Sequence, residues 1–77
     1  MAKKSQHRNE ALIALLAKNI REQRKIKGWT IEELAFAVGV DYSQIGRMER
    51  GIVNFNISIL YEVSQALGVP IEELFKG

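Results

Sequence analysis

Apolar residues recur at three- and four-residue spacing along most of this chain, and no stretch alternates as a strand would. Leu12, Ile13, Leu16 and Ile20 form one stripe on a first helix. Asn9 can cap its start, and Gly28 follows its expected end near Lys27. Thr30 and Glu33 stand three apart, the spacing of a capping box, and open a second helix. Leu34, Ala35 and Val38 share one face of it. The link Gly39-Val40-Asp41 reverses the chain. Asp41 and Gln44 then repeat the capping-box spacing at a third helix. Ile45 and Met48 face inward there, and Tyr42, Ser43, Gln44 and Arg47 face outward. After Gly51 a short loop leads to Asn56, the expected cap of a fourth helix carrying Ile57, Leu60, Tyr61, Val63, Ser64 and Leu67. Gly68 stops it, and Pro70 opens a short fifth helix, IEELF. The expected fold is all-α with five helices, the second and third forming a helix-turn-helix.

Composition narrows the function classes. Seventy-seven residues hold one domain, expected over 9–77, preceded by a flexible basic arm, MAKKSQHR, over 1–8. Without cysteine there are no disulfides and no thiolate metal sites, and His7 has no second histidine to pair with. No apolar run approaches the roughly 18 residues of a membrane span, so a cytoplasmic protein without membrane contact is expected. No nucleophile with a base, no metal set and no phosphate-cradling glycine loop is present. Hence no enzyme activity, cofactor or small-molecule substrate is expected.

Net charge is only +2, from 11 Lys and Arg against 9 Asp and Glu, so its distribution matters more than its sum. Lys3, Lys4 and Arg8 crowd the start, residues 18–27 carry five bases against one acid, and Arg47 and Arg50 follow. This fits a one-sided basic face, and it also fits scattered solubilising charge. The arm has the same two readings, as a minor-groove contact or a frayed terminus. At Arg21, Lys25 and Lys27, phosphate contact competes with simple complementation of the helix dipole. Trp29 reads as a core anchor.

From Asn19 to Phe75 the chain resembles the DNA-binding domain of phage repressor and Cro-like regulators, the XRE family. The resemblance rests on NIREQRKIKGWTIEELAFAVGVDYSQIGRMERG and ISILYEVSQALGVPIEELF, and it needs no gap. Its specific marks are Ala35, Gly39, Ile45, Glu49-Arg50-Gly51 and Ala66-Leu67-Gly68-Val69. It implies that the third helix enters the major groove of double-stranded DNA, with Tyr42, Ser43, Gln44 and Arg47 as base readers. Gln44 cannot easily read a base and also close the Asp41 capping box. The resemblance also implies phosphate contacts at Thr30, Arg50 and Asn54, and a structural ion pair between Arg24 and Glu49. A homodimer contact is implied around Ile57, Ile71, Leu74 and Phe75, although Leu74 and Phe75 can instead close the monomer core, a reading that suits Leu74 better than Ile71. Upstream of the match, Leu12, Ile13 and Leu15 can cover that core or add dimer surface. Gly46, costing about 1 kcal/mol in mid-helix relative to Ala, admits close approach by DNA or a neighbouring helix.

Two positions depart from the family pattern. Ile31 stands where glutamine is frequent, and neither Ile52 nor Val53 is basic. Fewer phosphate contacts are therefore expected, and dimeric binding gains weight. The leading expectation is a sequence-specific transcriptional regulator, a repressor or autoregulator, on a partly symmetric operator. The chain ends soon after the fifth helix, so no sensing domain is expected. Control by concentration would follow, as in the restriction-modification controllers that this layout resembles. The alternative is a protein-interaction module or antitoxin-like partner using the same fold, which the lost phosphate positions and low net charge favour.

Overall fold

Side-chain caps set where each α-helix begins. In the computed structural model, which describes residues 8–77, four α-helices span Glu10–Lys27 (α1), Ile31–Val38 (α2), Tyr42–Glu49 (α3) and Ile57–Leu67 (α4). Asn9 accepts the Leu12 N–H at 3.0 Å to start α1. Asn56 accepts from the Ser58 and Ile59 amides to start α4. At α2 the capping box is complete: Glu33 N–H donates to Thr30 Oγ1 at 3.1 Å, and Thr30 N–H donates to Glu33 Oε1 at 2.8 Å. Such a cap stabilises a helix start by about 1 kcal/mol.

The start of α3 differs from the capping box expected there. Asp41 is the cap, but its carboxylate accepts from the Ser43 N–H at 3.2 Å and from the Ser43 hydroxyl. Gln44 contributes its backbone N–H to the Asp41 carbonyl at 3.0 Å. The Ser43 N–H and hydroxyl, two residues on, occupy the carboxylate that the Gln44 N–H would need for a capping box.

The expected fifth helix is a 3-10 helix, Ile71–Phe75. Five residues after a proline that offers no side-chain cap are too few for a cooperative α-helix. The tighter i→i+3 pattern forms instead, with Glu73 N–H on the Pro70 carbonyl at 2.9 Å. No strand occurs among the described residues.

Ile20, Leu34, Ile45, Leu60, Val63 and Leu74 form the fully buried centre of the core, one or two from each helix. Each such side chain stabilises the fold by about 1.5–3 kcal/mol relative to exposure. Trp29, Ile31, Val38, Val53 and Ile71 pack on the core from its edge. Ile31 and Val53, among the positions that depart from the resembled pattern, thus serve packing. Ser64 is fully buried on α4 and satisfies its hydroxyl on the Tyr61 carbonyl at 2.7 Å.

The α2–α3 turn sets the angle at which α3 leaves the core. Gly39 ends α2 with φ +90°, which residues bearing a Cβ rarely adopt, and both its N–H and that of Val40 reach the Ala35 carbonyl. Ala35 is buried where the two helices meet. Ile45 and Met48 then turn into the core, leaving the opposite face of α3 outside.

Candidate functional site

The C-terminal end of α3 is tied to α1 by arginines. Arg24 Nε donates to Glu49 Oε2 at 2.7 Å and Nη2 to Oε1 at 2.9 Å, a two-pronged pair. Arg24 is 9% exposed and Glu49 5%. Arg24 Nη1 also donates to the Trp29 carbonyl at 2.8 Å, so one side chain joins α1, the α1–α2 turn and α3. The Glu49 hydrogen bond raises the Arg24 pKa above its ordinary value, outweighing the burial that pulls it down. Arg21 Nη1 donates to the Glu49 carbonyl at 3.0 Å, and Arg8 Nη2 to the Gly51 carbonyl at 3.0 Å. Positive charge at these final carbonyls complements the helix dipole. The other members of the expected arm, residues 1–7, lie outside the described residues.

Held this way, α3 presents Tyr42, Ser43, Gln44 and Arg47 on or beside its outer face. Tyr42 is 57% exposed and Arg47 is exposed, whereas Ser43 and Gln44 are half-buried. Gln44 and Arg47 line a cleft of about 300 Å³ together with Asn54 and Asn56 from the following loop. The structure therefore brings two expected base readers and one expected phosphate residue onto one concave surface. Arg50 sits one turn beyond Gly46, its guanidinium across the glycine. Ser43 is partly committed, because its hydroxyl donates to Asp41.

Thr30 lies apart from this group, at the start of α2. Its N–H is already taken by the Glu33 carboxylate, and Glu32 adds a second acid to the same turn. A phosphate approaching there meets negative charge.

The Asp41 carboxyl is held below the usual carboxylate range by the Ser43 hydroxyl first, then by the Ser43 N–H, with the Arg47 charge adding to it. The stabilisation of the α3 start that this provides is complete above the unfolded carboxyl pKa of about 3.9. It is lost as pH falls through the lower folded value. Acidification through that window is expected to lower the protection of the Ser43–Ile45 amides against hydrogen exchange, taken relative to their intrinsic rates at each pH. Asp41→Asn keeps a cap and should remove this dependence; an unaltered acid profile in that variant would contradict the assignment.

A second surface lies where α1, α4 and the 3-10 helix meet. Leu12, Phe55, Ile57 and Phe75 line an apolar groove of about 390 Å³ there, and Ile57 is 65% exposed. Ile71 is half-buried at the core edge, and Leu74 is fully inside.

A family model for helix-turn-helix domains, HTH_3, matches residues 20–74. The chain belongs to this helix-turn-helix family. It is 39% identical over 62 residues to the HTH-type transcriptional regulator SlrR of Bacillus subtilis, covering 79% of this chain and 41% of SlrR. Its fold is similar to the restriction-modification controller protein C.AhdI of Aeromonas hydrophila, with TM-score 0.81 and 35% identity over 84% of this chain and 98% of that one. SinR, a master regulator for biofilm formation solved in complex with DNA, is similar at TM-score 0.75 and 34% identity, over 79% of this chain and 98% of that one. The chain spans 34–59% of the length of SlrR and two further curated relatives.

Several side chains of this helix-turn-helix domain escaped the sequence reading. Phe36 on α2 is 90% exposed, beside Trp29, Glu32 and Glu33. Its place off the Leu34–Ala35–Val38 face was the available signal. Lys27 lies over the Trp29 ring, 4.8 Å from its centroid, so that ring meets both the core and a cation. Asn19 Nδ2 donates to the carbonyls of Leu74 and Lys76, both at 2.8 Å, pinning the 3-10 helix to α1. An asparagine in mid-helix was the signal there. Among the described residues, no helix is long and apolar enough to cross a membrane.

Proposed function

We propose that this chain is a sequence-specific DNA-binding transcriptional regulator, a repressor or autoregulator, acting in the cytoplasm as a homodimer on a partly symmetric operator. The observation that carries the reading is the outer face of α3. Tyr42 and Arg47 stand out, with half-buried Gln44 beside them, from a helix whose inner face is buried and whose end is clasped by Arg24 and Arg21. A rigid helix with projecting polar side chains is what major-groove reading requires, and the DNA-bound SinR structure shares the scaffold. Arg47 suits guanine, Gln44 suits adenine, and Ser43 and Tyr42 add polar and apolar contacts. Arg50 and Asn54 beside them are the phosphate contacts, with the Thr30 amide as a third, weakened by Glu32 and Glu33. The chemistry is binding, with no bond made or broken and no cofactor.

Base reading and phosphate contact separate in a titration of operator and random duplex across salt concentrations. Arg47→Ala is expected to cost about 1–3 kcal/mol on the operator and little on random DNA. Arg50→Ala should weaken both and lower the salt slope by about 1. Equal losses on both duplexes for Arg47→Ala would remove it from the base readers.

The homodimer would form through the groove at Leu12, Ile57 and Phe75, with Ile71 at its margin. Two apolar faces meeting there would shield surface that a small domain otherwise leaves wet. Ile57→Asp, at a residue 65% exposed, is expected to leave the helical circular-dichroism spectrum unchanged and shift sedimentation to the monomer. A variant that sediments with the wild type would move the interface elsewhere. The second reading, an interaction module or antitoxin-like partner, is favoured by exposed Phe36 on α2. In that case Phe36→Ser, and not Arg47→Ala, would abolish association with the partner protein.

A further inference from the structure

Gly46 occupies the middle of α3, where glycine weakens a helix relative to alanine. Its backbone does not demand glycine, because the positive φ values belong to Gly28, Gly39, Gly51 and Gly68. Contact with another helix does not demand it either. A Cβ at residue 46 would meet, within 4 Å, only Arg50: Nη1 at 3.1 Å and Cζ at 3.9 Å. The Arg50 guanidinium therefore folds back one turn and lies across the bare backbone of Gly46. Among the described residues no carboxylate pairs with Arg50. Tyr42, Gly46 and Arg50 fall on one ridge at four-residue spacing, beside Ser43 and Arg47.

We propose that Gly46 is a positioning residue for Arg50: the missing side chain lets the guanidinium lie along α3, set to meet a DNA phosphate flanking the groove that α3 enters. This rests on the DNA-binding reading and assigns a cause to the one helix-weakening residue in the reading helix. An arginine already held against the helix loses less rotamer freedom on binding than one free in solvent. A methyl group at residue 46 would stand 3.1 Å from Nη1, tighter than ordinary van der Waals contact. The flexible end of Arg50 would yield rather than the backbone, so the fold survives while the guanidinium is displaced. Gly46→Ala thus pushes stability and DNA affinity in opposite directions, which a purely structural glycine would not do.

The test compares the full chain, Gly46→Ala, Arg50→Ala and the double variant by melting temperature and by titration with operator duplex across salt concentrations. Gly46→Ala is expected to melt no lower than wild type and to bind about two- to tenfold more weakly. Its salt slope should fall toward that of Arg50→Ala. In the Arg50→Ala background, alanine at residue 46 should change affinity no further. Wild-type affinity in Gly46→Ala, an equal loss in the Arg50→Ala background, or a loss accompanied by a lower melting temperature would each overturn the proposal. A wild-type chain that binds no duplex would instead overturn the DNA-binding reading on which the proposal rests.

Discussion

Arg24→Ala is expected to destabilise the domain by about 3–5 kcal/mol, enough to unfold much of a chain this small at room temperature. The loss comes from what is left behind. Glu49 is 5% exposed, and without Arg24 its carboxylate would be buried with no charge partner. The Trp29 carbonyl would lose its donor as well. Arg21 cannot substitute, because it is engaged with the Glu49 backbone carbonyl. Chemical denaturation followed by circular dichroism measures the effect. Arg24→Met with Glu49→Leu should recover most of it, since a buried pair need not be worth more than well-packed apolar groups. An unchanged denaturation midpoint for Arg24→Ala would show that the clasp contributes nothing.

The second large effect is expected at the other end of the chain. Leu74→Ala should cost about 2–5 kcal/mol, as deletion of a fully buried leucine does when its surroundings cannot collapse. Leu74 is 0% exposed, in a 3-10 helix only five residues long whose last turn hangs on Asn19. That helix joins the monomer core through Leu74, while Phe75, 40% exposed, faces outward. Thermal unfolding of Leu74→Ala beside Phe75→Ser separates the two roles. A large loss for Phe75→Ser with little for Leu74→Ala would reverse them.

Features set by neighbours in sequence were legible before the structure. The starts of α1, α2 and α4 follow from Asn9, Thr30 with Glu33, and Asn56, whose bonds span two or three residues. The α2–α3 turn follows from Gly39. Where two local partners compete, spacing alone fails, and Asp41 chose Ser43 over Gln44. The short fifth helix expected at IEELF is a 3-10 helix; periodicity does not separate i+3 from i+4 bonding in five residues. Contacts between distant segments left almost no local trace. Arg21 to Glu49 bridges 28 residues, Arg8 to Gly51 bridges 43, and Asn19 to Leu74 bridges 55. The Arg24–Glu49 pair, 25 residues apart, came into view only through the family resemblance.

The outer face of α3 divides in the same manner. Its existence follows from Ile45 and Met48 turning inward, which the spacing gives away. The state of each outward side chain depends on its neighbours: Ser43 is engaged by Asp41, and Arg50 is laid across Gly46. Gln44 and Arg47 share their cleft with Asn54, which comes from beyond the helix. On the DNA-binding proposal, specificity would therefore rest chiefly on Tyr42, Gln44 and Arg47.

Selection of bound sites from random duplex DNA, run in parallel for the full chain and for Arg47→Ala, tests that claim most directly. The wild type should enrich a two-fold symmetric site with half-sites about 10 bp apart. Arg47→Ala should lose its preference at one position of each half-site while keeping the spacing. Enrichment of no sequence by the wild type, or the same site preference from both proteins, would contradict the account.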